Sequence, residues 1–148
     1  MLFCFKLKLI CIFGANFFTK ILHLIFGIGT DIIEVARIKT ELEKVKGLRE
    51  KLFTPGEIEY CENKKNYAQH YAARFCAKEA LFKAFGTGWR NGFAFHEIEV
   101  VNNELGKPEF RYSGKVLEFI ETEKLTHIHL SVTHIKELAN ALVIIEKL

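Results

Sequence analysis

Two carboxylates stand where apolar side chains set the pattern. Asp31 interrupts the run from Leu24 to Ile33, LIFGIGTDII, whose β-branched residues and glycines suit a buried strand entering a turn. A carboxylate there is costly to bury alone, so it must meet a cation, a backbone donor or water near the strand end. Glu79 falls four residues after Phe75 and three before Phe82, on the apolar stripe of a helical segment that also carries Ala68 and Ala72. Side chains at that spacing share one helix face, which turns the glutamate toward the core side. Arg74, Lys78 and Lys83 flank it, and Gly86-Thr87-Gly88 follows. Exposed N–H groups in such a loop, beside two or three cations, can cradle phosphate oxygens. Two separated carboxylates near a basic, glycine-rich loop describe a divalent cation held against a phosphate-bearing substrate.

Each feature also has a plain structural explanation. Glu79 and Lys83 are four residues apart, the spacing of an ordinary helix-surface salt bridge worth about 0.2–0.5 kcal/mol. Asp31 could be an N-cap or turn residue before the next helix. The Gly86-Thr87-Gly88 loop lacks the Walker spacing and follows a helix instead of preceding one, so a helix C-cap accounts for it equally well. His134 closes Ser131-Val132-Thr133-His134, where a side chain can face a pocket mouth or be satisfied by backbone. His127 and His129 share the outer face of the same strand, and two ligands without a third make a poor metal site. Cys4, Cys11, Cys61 and Cys76 form neither a CxxC pair nor a Cys/His cluster, which argues for buried or idle thiols in a reducing compartment and against structural zinc. No Gly-x-Ser-x-Gly is present, so serine hydrolase chemistry has no support.

The elements that must position these groups follow from periodicity. Val35, Ile38, Leu42 and Val45 recur at three and four residues, predicting an amphipathic helix whose polar face carries Arg37, Lys39, Lys44 and Lys46 together with Glu41 and Glu43. Gly47 is expected to end it. Thr54-Pro55-Gly56-Glu57 is a helix start with a capping-box spacing, leading to about Cys61. Asn66 can cap a longer helix that runs free of glycine and proline until Gly86. Ile98 to Val101, a turn over Asn102 to Gly106, and Pro108 to Tyr112 predict a hairpin. A helix around Val116 to Ile120 and the strands IHLSVTH and ALVIIE, joined through Ile135 to Leu138, complete the chain. Without a regular βαβ rhythm the class is α+β: one domain, a largely antiparallel sheet, one long helix and several short ones.

At 148 residues, 49% hydrophobic and 26% charged, the chain has material for one core of its own. The net charge of +3 arises from 21 basic and 18 acidic residues spread along the chain, so no nucleic-acid partner is expected. The first 26 residues differ: they contain no acidic residue, and Lys6, Lys8 and Lys20 are their only charges. Their longest uncharged stretch, Leu9 to Thr19, falls short of the roughly 20 apolar residues that span a bilayer, so stable membrane insertion is not expected. A targeting segment, a membrane-surface segment and an extension packed on the domain all remain open. The boundary is placed between an extension over 1–23 and a domain over 24–148.

Several short motifs recur here in a fixed order. Gly27-Ile28-Gly29-Thr30-Asp31-Ile32 with Glu34 and Arg37 comes first, then Phe53-Thr54 with Glu57. Arg74-Phe75-Cys76-Ala77-Lys78-Glu79-Ala80 with Lys83, Gly86, Thr87 and Gly88 follows, and Gly106-Lys107-Pro108 and Ser131-Val132-Thr133-His134 come last. Together they resemble the holo-acyl-carrier-protein synthase family of 4′-phosphopantetheinyl transferases, from Gly27 to the C-terminus. The resemblance implies transfer of phosphopantetheine from coenzyme A to a serine of apo-acyl carrier protein, releasing adenosine 3′,5′-bisphosphate, in support of fatty acid biosynthesis. It implies Mg²⁺ on Asp31 and Glu79, with Glu79, directly or through water, as the base. Lys83 would contact the phosphates, and Arg74, Gly86, Thr87, Gly88, Thr133 and His134 would complete the coenzyme pocket. Arg37 would dock the carrier protein, the enzyme would be a homotrimer with its coenzyme site between protomers, and the compartment would be the cytoplasm, or an organelle if the extension is a targeting segment. Trp89-Arg90-Asn91-Gly92 is bulkier than the family's pattern at the pocket rim, and the extension before Leu24 is a second departure. The competing reading is a non-catalytic module that grips a nucleotide or carrier protein with the same helix and loop.

Overall fold

The architecture is a long central helix laid across one face of an antiparallel sheet, with short helices and a hairpin closing its other sides; the computed structural model describes residues 25–88 and 92–147. The elements are β1 (Ile25–Glu34), α1 (Val35–Lys44), α2 (Leu48–Leu52), α3 (Pro55–Glu62) and α4 (Tyr67–Phe85). A 3₁₀ turn (Phe95–Glu97), β2 (Ile98–Asn102), β3 (Pro108–Tyr112), α5 (Gly114–Thr122), β4 (Leu125–His134) and β5 (Leu138–Lys147) follow. The main sheet has the order β1-β5-β4, and β2 pairs with β3 as a separate hairpin; every pairing is antiparallel. The expected α+β class is what the chain adopts. No helix among the described residues is long and apolar enough to cross a membrane. The expected extension over 1–23 lies outside the described residues.

Contact between β1 and α4 sets the geometry of everything that follows. A Cβ added at Gly27 would stand 1.9 Å from the Ala84 carbonyl oxygen, and one at Gly29 would stand 2.0 Å from that of Ala80. The helix backbone therefore rests directly on the strand, which only glycine opposite alanine permits. Alternate strand residues share a face, so Asp31 is the next in the row after Gly27 and Gly29. Two strand residues advance about 6.7 Å and four helix residues about 6 Å, so strand and helix keep register as they run in opposite directions. Continuing that register brings Asp31 to the level of Cys76, whose buried thiol donates to the Ala139 carbonyl at 3.5 Å and has its proton affinity raised by burial first and by the nearby Asp31 carboxylate next.

The local signals mostly do what their chemistry dictates. Thr54 accepts from the Glu57 N–H while Glu57 caps the Thr54 N–H in return, a complete capping box with Pro55 in the first turn. Gly86 ends α4 in the left-handed region at φ 75°. Three details differ from expectation. Helix α1 stops at Lys44 and leaves Val45 45% exposed, because Gly47, at φ 78°, opens α2 instead of closing α1. Asn66 precedes α4 but makes no side-chain cap. Helix α4 is also buried on most of its circumference and not along one stripe, since the sheet, α1, α3 and β2 enclose it.

Candidate active site

Asp31 and Glu79 face one cleft of about 420 Å³, lined also by Arg37, Ile38 and Glu41 of α1, Leu48 and Leu52 of α2, and Phe75. Asp31 comes from β1, Glu79 from α4, and the Gly29–Ala80 approach sets the distance between their backbones. The cation that Asp31 needs is Lys83: its ammonium donates to Asp31 Oδ1 at 2.7 Å and to the Thr30 carbonyl at 3.0 Å. The Glu79–Lys83 pair expected from helix spacing is thus replaced by a strand-to-helix bridge, with the Asp31 side chain 14% exposed. Asp31 is fixed from its other side as well, where Asn140 Nδ2 donates to its backbone carbonyl at 2.6 Å.

The charges are unbalanced. Glu79 is half-buried; burial raises its proton affinity first, the Asp31 charge raises it further, and Lys83 only partly opposes them. The bond to Asp31 in turn raises the proton affinity of Lys83 and keeps it a cation. Two carboxylates with one shared ammonium leave an excess of negative charge and an all-oxygen donor set, which suits a hard divalent cation. Among the described residues no group of three His, Cys, Asp or Glu side chains could hold a metal by itself. Any ion between Asp31 and Glu79 would have to complete its shell from water and substrate oxygens, the habit of magnesium.

The remaining candidates divide between places. Gly86 and Gly88 adopt φ 75° and 59°, and open space surrounds both, so the backbone of this loop is accessible one turn beyond Lys83; residues 89–91 at the expected pocket rim lie outside the described residues. Thr87 bonds the Gly88 carbonyl. Arg74 and His134 meet in a second cavity of about 170 Å³, shared with Tyr60 and His70. There the Arg74 guanidinium lies 3.9 Å from the Tyr60 ring centroid, and its buried Nε has no partner. The His70 and His134 rings stand 5.6 Å apart, and burial together with the neighbouring His134 and Arg74 lowers the proton affinity of His70. Thr133 lines neither cavity and is exposed; strand alternation turns it to the sheet face opposite His134.

One expected phosphate cation is something else. Lys78 is fully buried and pairs with Glu57 at 2.6 Å, so it cannot reach a substrate in the cleft. Helix geometry places it about 100° around α4 from Glu79, which is why neighbours in sequence have opposite fates. Sequence reasoning also passed over Phe75 as cleft wall and His70 as cavity wall. Both were legible, lying four residues before Glu79 and Arg74 on the same helix faces. Tyr60 and Asn140 carried no such signal. His127 and His129 lie beside Glu146, with His129 Nε2 at 3.3 Å and His127 Nδ1 at 3.8 Å from its carboxylate, but the three do not form a metal-binding group.

Known proteins resemble this chain over nearly all of the described residues. The sequence model of the 4′-phosphopantetheinyl transferase superfamily matches residues 27–144. A holo-[acyl-carrier-protein] synthase from Geobacter sp. (strain M21) is 44% identical over 125 residues, covering 84% of this chain and 100% of the relative. The crystal structure of a holo-(acyl-carrier-protein) synthase from Bacillus anthracis in complex with CoA (3′,5′-ADP) superposes with a TM-score of 0.70 at 37% identity, covering 84% and 99% of the two chains. That of the Neisseria meningitidis holo-[acyl-carrier-protein] synthase reaches 0.77 at 33% identity, covering 84% and 100%.

Proposed function

This chain belongs to the 4′-phosphopantetheinyl transferase superfamily, and from that premise we propose that it moves 4′-phosphopantetheine from coenzyme A to a serine of apo-acyl carrier protein, as a Mg²⁺-dependent enzyme serving fatty acid biosynthesis. The observation that carries the reading is the pairing of Asp31 and Glu79 across one cleft, with Lys83 bound to Asp31 beside an accessible glycine loop. The serine oxygen forms a bond to the phosphorus attached to the pantetheine arm, and the bond from that phosphorus to the departing nucleotide breaks, releasing adenosine 3′,5′-bisphosphate. Asp31 and Glu79 would hold Mg²⁺, which when bound supplies electrophilic polarisation of the phosphoryl group. Lys83 and the Gly86–Gly88 N–H groups orient the phosphates by charge and hydrogen bonding. Glu79 takes the serine proton, directly or through a water.

The acceptor enters along α1. Arg37 lines the cleft from that side and offers a cation to an acidic helix, while Leu48, Leu52 and Phe75 offer the apolar surface that a carrier helix covers. The second cavity, with the Arg74 guanidinium, whose Nε has no partner, and two histidines, is a pocket suited to nucleotide phosphates. It shares no lining residue with the Asp31 cleft, and in our reading it completes the coenzyme site of a neighbouring copy in a homotrimer. The outer sheet face supports that assembly: Ile25, Ile28, Ile32 and Leu142 are 52%, 58%, 63% and 39% exposed there, an apolar strip of the kind a partner covers. The enzyme acts in the cytoplasm, or in an organelle if residues 1–23 serve as a targeting segment.

The test is direct. Incubated with coenzyme A, Mg²⁺ and apo-acyl carrier protein, the chain should add one phosphopantetheine mass to the acceptor, and a chelator should abolish the gain. No product with several carrier proteins would sink the reading.

A further inference from the structure

Lys78 and Glu57 form an ion pair sealed in the core, and the transfer chemistry uses neither. Lys78 is 0% exposed and Glu57 1%. The Lys78 ammonium donates to Glu57 Oε2 at 2.6 Å, to the Leu52 carbonyl at 2.7 Å and to the Phe95 carbonyl at 3.0 Å, which occupies all three of its protons. Glu57 accepts in turn from the Thr54 and Val100 N–H groups, each at 2.9 Å. A buried pair is by itself weak evidence of stabilisation, because desolvation offsets much of the attraction. What distinguishes this one is the set of segments it joins: the end of α2, the start of α3, the turn before β2, and α4 one residue from Glu79.

The two sides of the cleft are anchored by different means. Asp31 and Glu79 are held by the backbone contact of Gly29 with Ala80, and Lys83 is held by Asp31. Nothing in that arrangement passes through Lys78. Helix α2, by contrast, is five residues long with no fully buried side chain, so its own packing holds it weakly. Its last residue, Leu52, lines the cleft through its side chain and is tied to α4 through the carbonyl that Lys78 grips. We propose that the Lys78–Glu57 pair is the positioning device for the acceptor side of the cleft. It holds the α2 wall against α4 and so sets affinity for the carrier protein, while coenzyme and metal binding depend on the β1–α4 contact. The proposal rests on the assignment of the Arg37 side to the carrier protein.

Two variants of the full chain test it: Lys78→Met, and Glu57→Gln with Lys78→Met, which leaves no buried charge and keeps an acceptor for one backbone N–H. Thermal melting, coenzyme A affinity by calorimetry, KM for apo-carrier protein and amide exchange over residues 48–53 are measured on each, with Arg37→Ala as control. The double variant should fold and bind coenzyme A within about twofold of the parent. Its carrier-protein KM should rise about tenfold, with faster exchange over residues 48–53. Arg37→Ala should raise the same KM without changing that exchange. A folded double variant with unchanged carrier KM, an equal loss of coenzyme affinity, or failure of both variants to fold would each overturn the proposal, the last by making the pair a stability element. If the parent chain itself modifies no carrier protein, the transferase reading fails and takes this one with it.

Discussion

Gly29→Ala should damage catalysis through one methyl group that never touches substrate. Its Cβ would stand 2.0 Å from the Ala80 carbonyl oxygen and 2.5 Å from the Ala84 nitrogen, both helix backbone atoms that no rotamer change can move. To restore an ordinary contact of 3.4 Å, α4 must retreat from β1 by about 1.4 Å. Overpacking of this kind costs about 1–3 kcal/mol. Glu79 adjoins Ala80, while Asp31 follows Gly29 on the strand's inner face, so the retreat opens the gap between the two carboxylates themselves. A misplacement of about 1 Å lowers turnover by about 10²-fold where geometry carries the rate. Gly27→Ala makes the matching comparison, because its clash is with Ala84, a turn farther from Glu79. The assays are urea denaturation followed by circular dichroism, and phosphopantetheinylation of apo-carrier protein with saturating Mg²⁺ and coenzyme A. Gly29→Ala should lose stability comparably to Gly27→Ala but lose much more kcat. A Gly29→Ala protein with parental kcat, or equal kcat losses in the two variants, would refute the claim that this contact sets the carboxylate spacing.

Four further outcomes are expected. Asp31→Asn and Glu79→Gln should each abolish the Mg²⁺-induced rise in melting temperature along with turnover; a retained rise in either would place the ion elsewhere. Because the fold raises the proton affinity of Glu79 above its ordinary value of 4.5, its stabilising contribution is present below that pH and is lost as pH rises through the folded value. In chelator, Glu79→Gln should therefore melt higher than the parent at about pH 7.5 and converge with it near about pH 4; a gap that persists at the lower pH would contradict that cause. Burial raises the Cys61 thiol to about 12 and raises Cys76 as well, so with Cys4 and Cys11 changed to Ser no thiol should react with a disulfide reagent until the chain unfolds. Finally, Ile28→Glu with Leu142→Glu should lower the sedimenting mass and reduce coenzyme affinity together; loss of mass alone would separate assembly from the site.

How much of this was legible in the sequence depends on whether a signal was local. The capping box at Thr54 and Glu57, the Gly86 stop, the hairpin and the closing strands are set by neighbouring residues, and the chain follows them. Val45 and Gly47 were misleading because a short α2 competes for the same glycine, and pattern cannot weigh a five-residue helix that its surroundings stabilise. The stripe through Phe75, Glu79 and Phe82 pointed correctly at Glu79. It said nothing of Lys78, whose partner lies 21 residues away and whose burial depends on four segments closing around it. Thr133 and His134 show the same limit: adjacency in sequence grouped them, and the pleat of a strand separates them.

The two glycines show what spacing does encode once a partner element is known. Gly27, Gly29 and Asp31 are two apart, and Ala84, Ala80 and Cys76 are four apart in the opposite direction; these are the steps that keep a strand and a helix in register. The same row that admits the helix backbone at two glycines ends on the carboxylate, so the site's position follows from the closest backbone contact in the fold. That anchoring leaves the acceptor wall free to be held by other means, and residue 78, one position from Glu79 and turned into the core, is where the two arrangements meet. A helix that is buried nearly all round can serve both because each successive residue points about 100° farther around its axis. Packing of α4 against the sheet and its linkage to α2 are therefore separable by mutation, although the residues responsible adjoin in sequence.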